Sequence, residues 1–224
     1  MTSDPKAAWA RVLARHVDEQ GRIDFVGVST QPQDLEAWVA YVGQVSPRSN
    51  PALFPSRNEQ LAYYIDAYNG LAMYGVIRSG AIPRQKIRFF VLRKYRIGGE
   101  DMSLYAFEND VIRPYGDARI HFALNCMVKG CPRLPQVPWD PQQLDEQLQQ
   151  ASVQFFNSPY NVLLDDANRR VYLSELMDFY QEDYLSEAPT LIDFVNQYRE
   201  QPIPTDYEVE FIPYNWKLRK QPRE

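Results

Sequence analysis

Apolar residues recur every three or four positions in one long stretch of the chain, and this spacing predicts a helix over residues 57–78. The stretch begins with Ser56 and Glu59, which form a capping box in which each side chain can bind the backbone N–H of the other residue. Its apolar face is broad enough for a helix that is buried on most sides. Two polar residues, Asp66 and Asn69, interrupt that face and need hydrogen-bonding partners. We expect this helix to be the centre of the fold.

The remaining pattern mixes helical and strand-like segments. Helical spacing or a capping residue predicts helices over residues 5–17, 32–45, 104–114, 140–156, 175–185 and 191–199. Alternation or a short apolar run predicts strands over residues 21–26, 86–91, 94–97, 120–124, 170–173 and 207–212. A turn at Gly98 and Gly99 predicts a hairpin between the strand at 94–97 and the residues that follow it.

The order of these segments indicates the fold class. Helices and strands follow one another without regular alternation, which favours α+β over a doubly wound sheet. We therefore predict a single α+β domain over residues 1–224, with the ends at 1–4 and 218–224 flexible. Its central buried helix is expected to pack on a small mixed or antiparallel sheet, with several peripheral helices around it.

Charge and hydropathy narrow the classes of partner. A net charge of −5 disfavours nucleic acid, so the expected partner is an unidentified small molecule or peptide. No apolar run approaches the roughly 18 residues that a membrane span requires, and the first residues lack the pattern of a signal peptide. The chain is predicted to be soluble, exported to the periplasm if a signal peptide was removed and cytoplasmic otherwise. The oligomeric state is not set by the sequence.

One segment, DARIHFALNCMVKGCP (residues 117–132), concentrates the candidate chemistry. It contains both cysteines of the chain, Cys126 and Cys131, and one of its two histidines, His121. A thiol needs a base or a positive field to form the nucleophilic thiolate, and histidine is the commonest such base. The other interpretation is that Cys126 and His121 are ordinary core side chains. No phosphate-binding loop or dinucleotide motif is found, and two cysteines with one histidine fall short of a zinc site, so no cofactor and no metal are predicted.

Several segments resemble a bacterial family known as domain of unknown function 547. They are LAYYIDAYNGL, RIGGEDMSL, FENDVIRP, DARIHFALNCMVKGCP, DFYQEDYL and FIPYNWKL. The resemblance covers roughly residues 5–220. The resemblance implies positions but no reaction, because the family has no assigned activity. Many relatives are exported. In this chain Met127 and Val128 stand where small polar residues are commoner.

By analogy with papain-like and transglutaminase-like enzymes, a thiol, an imidazole and an orienting amide or carboxylate could form a catalytic site. His121 would act as the base, and Glu108 or Asn69 would orient it. Cys131 is favoured over Cys126 as the nucleophile, because it follows a glycine-containing loop that can return towards the histidine.

Three further residues are candidates for binding substrate. Asn125 is expected to share a face with His121, and Arg113 could enter the same cleft together with Glu108. Lys129 lies in the loop between the cysteines, where its charge would help to lower a thiol pKa.

Two functions of different class remain open. The first is a thiol-dependent enzyme that catalyses acyl or thiol transfer, or a thiol-redox protein. The second is a non-enzymatic binding or interaction module in which Cys126 and Cys131 form a disulfide or are structural thiols.

Overall fold

The computed structural model describes residues 4–79 and 86–222. In chain order, its α-helices are α1 (Pro5–His16), α2 (Phe25–Thr30), α3 (Gln33–Gln44), α4 (Arg57–Ser79), α5 (Leu104–Phe107), α6 (Leu144–Phe156), α7 (Leu176–Phe179), α8 (Gln181–Glu187) and α9 (Leu191–Asn196). Its strands are β1 (Tyr95–Ile97), β2 (Glu100–Met102), β3 (Val162–Asp165), β4 (Arg170–Ser174) and β5 (Glu208–Ile212). The protein is therefore an α+β protein. No helix within the described ranges combines the length and the apolar character needed to cross a membrane.

Helix α4 is the most buried long element, as its apolar pattern predicts. The capping box at its start is present: Ser56 N–H donates to Glu59 Oε2 over 2.8 Å, and Glu59 N–H donates to Ser56 Oγ over 3.2 Å. Residues 61–73 of the helix are buried without interruption. The helix packs against α2, α3 and α5, and Gly75 lies against the hydroxyl of Tyr95 in β1 and the ring of Phe89.

The strands form two small sheets. Strands β1 and β2 make the hairpin that the glycine turn predicts, with Gly98 and Gly99 at positive φ between them. The second sheet has the order β3, β4, β5, in which β3 pairs antiparallel and β5 pairs parallel with β4. Strands β4 and β5 lie where the sequence predicts them, whereas β3 carries no alternation that identified it.

Three predicted strands are wrong. Residues 21–26 make only an isolated bridge at Ile23 and then enter α2. Residues 88–92 form a π-helical turn that buries Phe89, and residues 118–122 form a 3₁₀-helix. Both segments are short apolar runs, and such runs have no periodicity that separates a strand from a buried helical turn.

The buried side chains divide into two apolar clusters, which we call the first core and the second core. The first core surrounds α4 and includes α1, α3, the β1–β2 hairpin and the cysteine loop. The second core lies between α6, the three-stranded sheet, α8 and α9. The 3₁₀-helix at 118–122 borders both, because Ile120 belongs to the first core and Phe122 to the second.

Candidate functional site

The loop that carries the cysteines is held in place by two buried amides. Asn69, fully buried on α4, donates to the carbonyl of Ala123 over 3.0 Å and accepts the N–H of Asn125 over 2.7 Å. The side chain of Asn125 in turn donates to the carbonyl of Pro132 and accepts the N–H of Met127, each over 2.7 Å. Met127 has φ +69°, a left-handed conformation that is costly for a residue with a side chain. These bonds fix both ends of the loop.

Within this loop the two sulfur atoms face a tyrosine hydroxyl. Cys131 Sγ accepts the N–H of Cys126 over 3.1 Å and the hydroxyl of Tyr214 over 3.2 Å. The same hydroxyl lies 3.6 Å from Cys126 Sγ. Both cysteines are buried and are free thiols in the structure. Whether they pair as a disulfide under oxidising conditions stays a prediction, which an intact-mass measurement checks.

The environments of the two thiols push their pKa values apart. Burial by itself would raise the pKa of Cys131, but hydrogen bonds from the Cys126 thiol, the Tyr214 hydroxyl and backbone groups outweigh it and lower that pKa to about 7. The pKa of Cys126 is raised, first because its thiol donates to Cys131 and second because it is buried. The arrangement therefore stabilises a thiolate on Cys131 and a neutral thiol on Cys126.

The C-terminal segment closes over the cysteine loop from outside. The guanidinium of Arg219 donates to the carbonyl oxygens of Cys131, over 2.6 Å, and of Lys129, over 2.8 Å. The backbone of Lys129 also pairs with Lys217. Tyr214 therefore belongs to a segment whose following residues, Lys217 and Arg219, are hydrogen-bonded to the cysteine loop.

An imidazole and a carboxylate form a second polar group beside the thiols. His121 Nε2 lies 2.7 Å from Asp183 Oδ2, and the guanidinium of Arg113 makes two hydrogen bonds of 2.8 and 2.7 Å to the same carboxylate. Burial opposes ionisation of Asp183, but the hydrogen bonds from His121 and Arg113 outweigh it and hold the pKa of Asp183 well below its usual range. The ring of Tyr180 stacks on His121 at 3.8 Å between centroids. His121 is thereby fixed in position.

The second ring nitrogen of His121, Nδ1, is buried and has no hydrogen-bond partner among the described residues. Within the same ranges, no hydrogen bond joins His121 to either sulfur atom. The direct imidazole–thiol pair that the sequence predicts is therefore not formed in this structure.

A pocket of about 270 Å³ brings the two groups together. Its walls include both cysteines, His121, Glu108 and the aromatic side chains Tyr68, Phe90, Tyr105, Phe179, Tyr180, Tyr214 and Trp216. Glu108 is buried, and its carboxylate accepts the hydroxyl of Tyr68 over 2.9 Å. Within the described ranges, no cluster of three or more histidine, cysteine, aspartate or glutamate side chains is placed to hold a metal ion.

The pocket contains some of the residues singled out from the sequence and not others. Cys126, Cys131, His121 and Glu108 line it. The other candidates do not line it. Asn69 and Asn125 hold the cysteine loop in place through hydrogen bonds. Arg113 is hydrogen-bonded to Asp183, and the side chain of Lys129 is exposed. The hydrogen-bond partner of His121 is Asp183, and within the described residues no hydrogen bond joins Glu108 or Asn69 to the imidazole.

Two central residues, Asp183 and Tyr214, were not selected by sequence reasoning. Both lie far from the cysteine segment along the chain, so no spacing rule connects them to it. The available signal was their position in the segments DFYQEDYL and FIPYNWKL, on which the family resemblance partly rests.

The fold and the pocket define a class: an α+β protein with a buried pair of thiols facing a histidine–carboxylate pair. Residues 53–156 match the family described as "Protein of unknown function, DUF547", so this part of the chain is similar to that family. The match confirms the resemblance over a shorter stretch than residues 5–220. It includes α4, Glu108, His121 and both cysteines, whereas Asp183 and Tyr214 lie beyond it. Comparison with curated proteins and with solved structures gives no significant match.

Proposed function

We propose that the protein is a cysteine-dependent acyl-transfer enzyme in which Cys131 is the nucleophile. The observation that carries the proposal is the environment of Cys131, whose sulfur accepts hydrogen bonds from Cys126 N–H and the Tyr214 hydroxyl in the same pocket as His121. Together with the hydrogen bond from the Cys126 thiol, these bonds outweigh burial and lower the pKa of Cys131 to about 7. A thiolate is then present at neutral pH without a direct contact to a base.

In the proposed reaction, the Cys131 thiolate attacks the carbonyl carbon of an ester or thioester. A sulfur–carbon bond forms, the bond to the leaving group breaks, and the leaving group takes a proton from protonated His121. An acyl group is then held on Cys131 as a thioester. Water or an acceptor alcohol or amine gives a proton to neutral His121, attacks the thioester and releases the acyl group, which regenerates the thiolate.

His121 is suited to this proton transfer by its two nitrogen atoms. Asp183 holds Nε2, while Nδ1 has no partner among the described residues and belongs to a side chain that lines the pocket. A carboxylate on one nitrogen fixes the orientation of the ring and leaves the other nitrogen for the proton that moves. We assign to Asp183 the orienting role that the sequence analysis predicts for Glu108 or Asn69.

Trapping of the acyl intermediate tests the proposal. The protein is mixed with 4-nitrophenyl butyrate, and peptide mapping by mass spectrometry locates any butyryl group. We expect a burst of nitrophenolate and one butyryl group on Cys131. Cys131→Ser should abolish both, and Cys126→Ser, which keeps a hydrogen-bond donor next to Cys131, should retain them.

The same experiment separates the enzyme from the binding module. Absence of a burst and of any acylated cysteine from fully reduced protein would contradict the proposal and favour a non-enzymatic role. Butyrylation that persists in Cys131→Ser would also contradict it, because the nucleophile would then be another residue.

A further inference from the structure

We propose that the pocket takes an uncharged, apolar acyl group of about nine non-hydrogen atoms, such as a medium-length alkanoyl or an arylacyl group. The inference rests on the proposed function, since it names the substrate class of the same site.

The volume of the pocket sets the scale of the group that fits. The pocket holds about 270 Å³, and at roughly 30 Å³ for a water-sized group this is room for about nine non-hydrogen atoms. A polypeptide segment or a whole cofactor does not fit in such a volume, whereas one acyl chain or one aromatic ring does. The remainder of the substrate would lie outside the mouth.

The walls favour an acyl group without charge. Most of the lining side chains are aromatic or aliphatic, and the polar groups deep in the pocket are Glu108, His121, the two thiols and tyrosine hydroxyls. A carboxylate at the end of the acyl chain would lose its water and face Glu108 and the Cys131 thiolate. Among the described lining residues, Lys86 is the only lysine or arginine, and its ammonium lies 3.7 Å from the centre of the Trp216 ring.

The mouth exposes apolar side chains to water. The π-helical turn at 88–92 and the residues just before it place Ile87, which is 70% exposed, and Val91, which is 42% exposed, at the rim of the pocket. Contiguous apolar groups at a pocket rim mark a surface that a ligand covers. Leu92 on the same turn is also exposed, at 66%, but does not line the pocket. This neighbour offers a matched control.

Binding of unreactive analogues to Cys131→Ser tests the inference without requiring catalysis. Calorimetry compares octanamide with the amide of the same chain length that ends in a carboxylate. We expect octanamide to bind at least tenfold more tightly than the charged analogue. Val91→Asp should weaken octanamide binding about tenfold or more, and Leu92→Asp, which adds the same charge to the same turn, should change it by less than about twofold.

The outcomes separate this inference from the proposed function. Equal binding of the two amides, equal effects of the two aspartate variants, or no binding of octanamide would overturn the inference, even if Cys131 is acylated by small esters. Selective binding of octanamide, together with no acylation of the wild-type protein, would support the inference and contradict only the acyl-transfer reaction.

Discussion

The two cores of the molecule contribute different halves of the pocket. The first core, built on α4, supplies both thiols, Glu108 and Tyr68. The second core, built on the three-stranded sheet and α8, supplies Asp183 and the aromatic rings that hold His121. The candidate chemistry therefore requires both cores, and neither alone contains a thiol and an oriented imidazole.

The site depends on tertiary structure at the segment where the two cores meet. His121 lies on the 3₁₀-helix at 118–122, between Ile120 in the first core and Phe122 in the second. A shift of one core relative to the other would move His121 and the thiols apart. We infer that the protein unfolds as one cooperative unit, because this segment is buried in both cores.

Removing a large side chain from either core is expected to have the largest effect. Ile65→Ala in the first core should cost about 2–5 kcal/mol and Phe194→Ala in the second about 3–5 kcal/mol, since each leaves a cavity around a fully buried side chain. Denaturant unfolding, followed by both tryptophan fluorescence and circular dichroism, measures these losses. The two probes should give one coincident transition in each variant. Separate transitions would show that the cores are independent.

Changing the imidazole should affect turnover much more than thiol reactivity. His121→Ala is expected to lower ester turnover by about 10²–10⁴-fold, the usual effect of losing a general acid–base group. The same variant should alter iodoacetamide labelling of Cys131 by less than about threefold, because within the described residues no hydrogen bond joins His121 to the sulfur. Asp183→Asn should lower turnover in the same direction. A tenfold slower labelling in His121→Ala would instead support a direct imidazole–thiol pair and contradict this prediction.

The first core also contains a buried carboxyl group that should make its stability depend on pH. Burial raises the pKa of Asp66 to about 8, although Trp9 and the N–H of Trp139 donate to it. The unfolded chain ionises near pH 4, so the folded state loses stability as pH rises from about 4 to about 8. Relative to Asp66→Asn, the wild type should lose about 3–4 kcal/mol between pH 5 and pH 8, at about 1.4 kcal/mol per pH unit. Equal slopes in urea unfolding of both proteins would contradict this.

Features that depend on neighbouring residues in the chain could be predicted from the sequence, and features that depend on tertiary packing could not. Helix α4 was predictable because its capping box and apolar spacing are local. The segment 118–122 was not, because burial between two cores gives a 3₁₀-helix the same unbroken apolar run as a buried strand. Asp66 and Asn69 look alike in the sequence, yet one binds tryptophan N–H groups and the other the cysteine loop.

The residues of the candidate site also divide into those that local sequence features identify and those that only tertiary packing brings to the site. Cys126, Cys131, His121 and Glu108 were found because rare residue types cluster within a short segment or interrupt an apolar face. Tyr214 was not found, because its contact with the thiols crosses more than eighty residues of chain and depends on how the C-terminal segment packs.

Removal of the Tyr214 hydroxyl should have the smallest effect. Tyr214→Phe deletes one of the hydrogen bonds that Cys131 accepts, so the pKa of Cys131 should rise, by roughly half a unit to one unit. Labelling of Cys131 by iodoacetamide at pH 7 should then slow by about two- to fivefold. Tyr105→Phe, which changes another tyrosine that lines the pocket, is the control and should leave the rate unchanged.

The pH dependence of Cys131 labelling tests the central claim most directly. Reduced wild-type protein is treated briefly with iodoacetamide across pH 5–10, and mass spectrometry of peptides resolves Cys131 from Cys126. Because the pKa of Cys131 is lowered and that of Cys126 is raised, labelling of Cys131 should rise with a midpoint near pH 7 while Cys126 stays unlabelled until higher pH. A Cys131 midpoint at or above about 8.5, the value of an unperturbed thiol, or earlier labelling of Cys126, would contradict the proposed nucleophile.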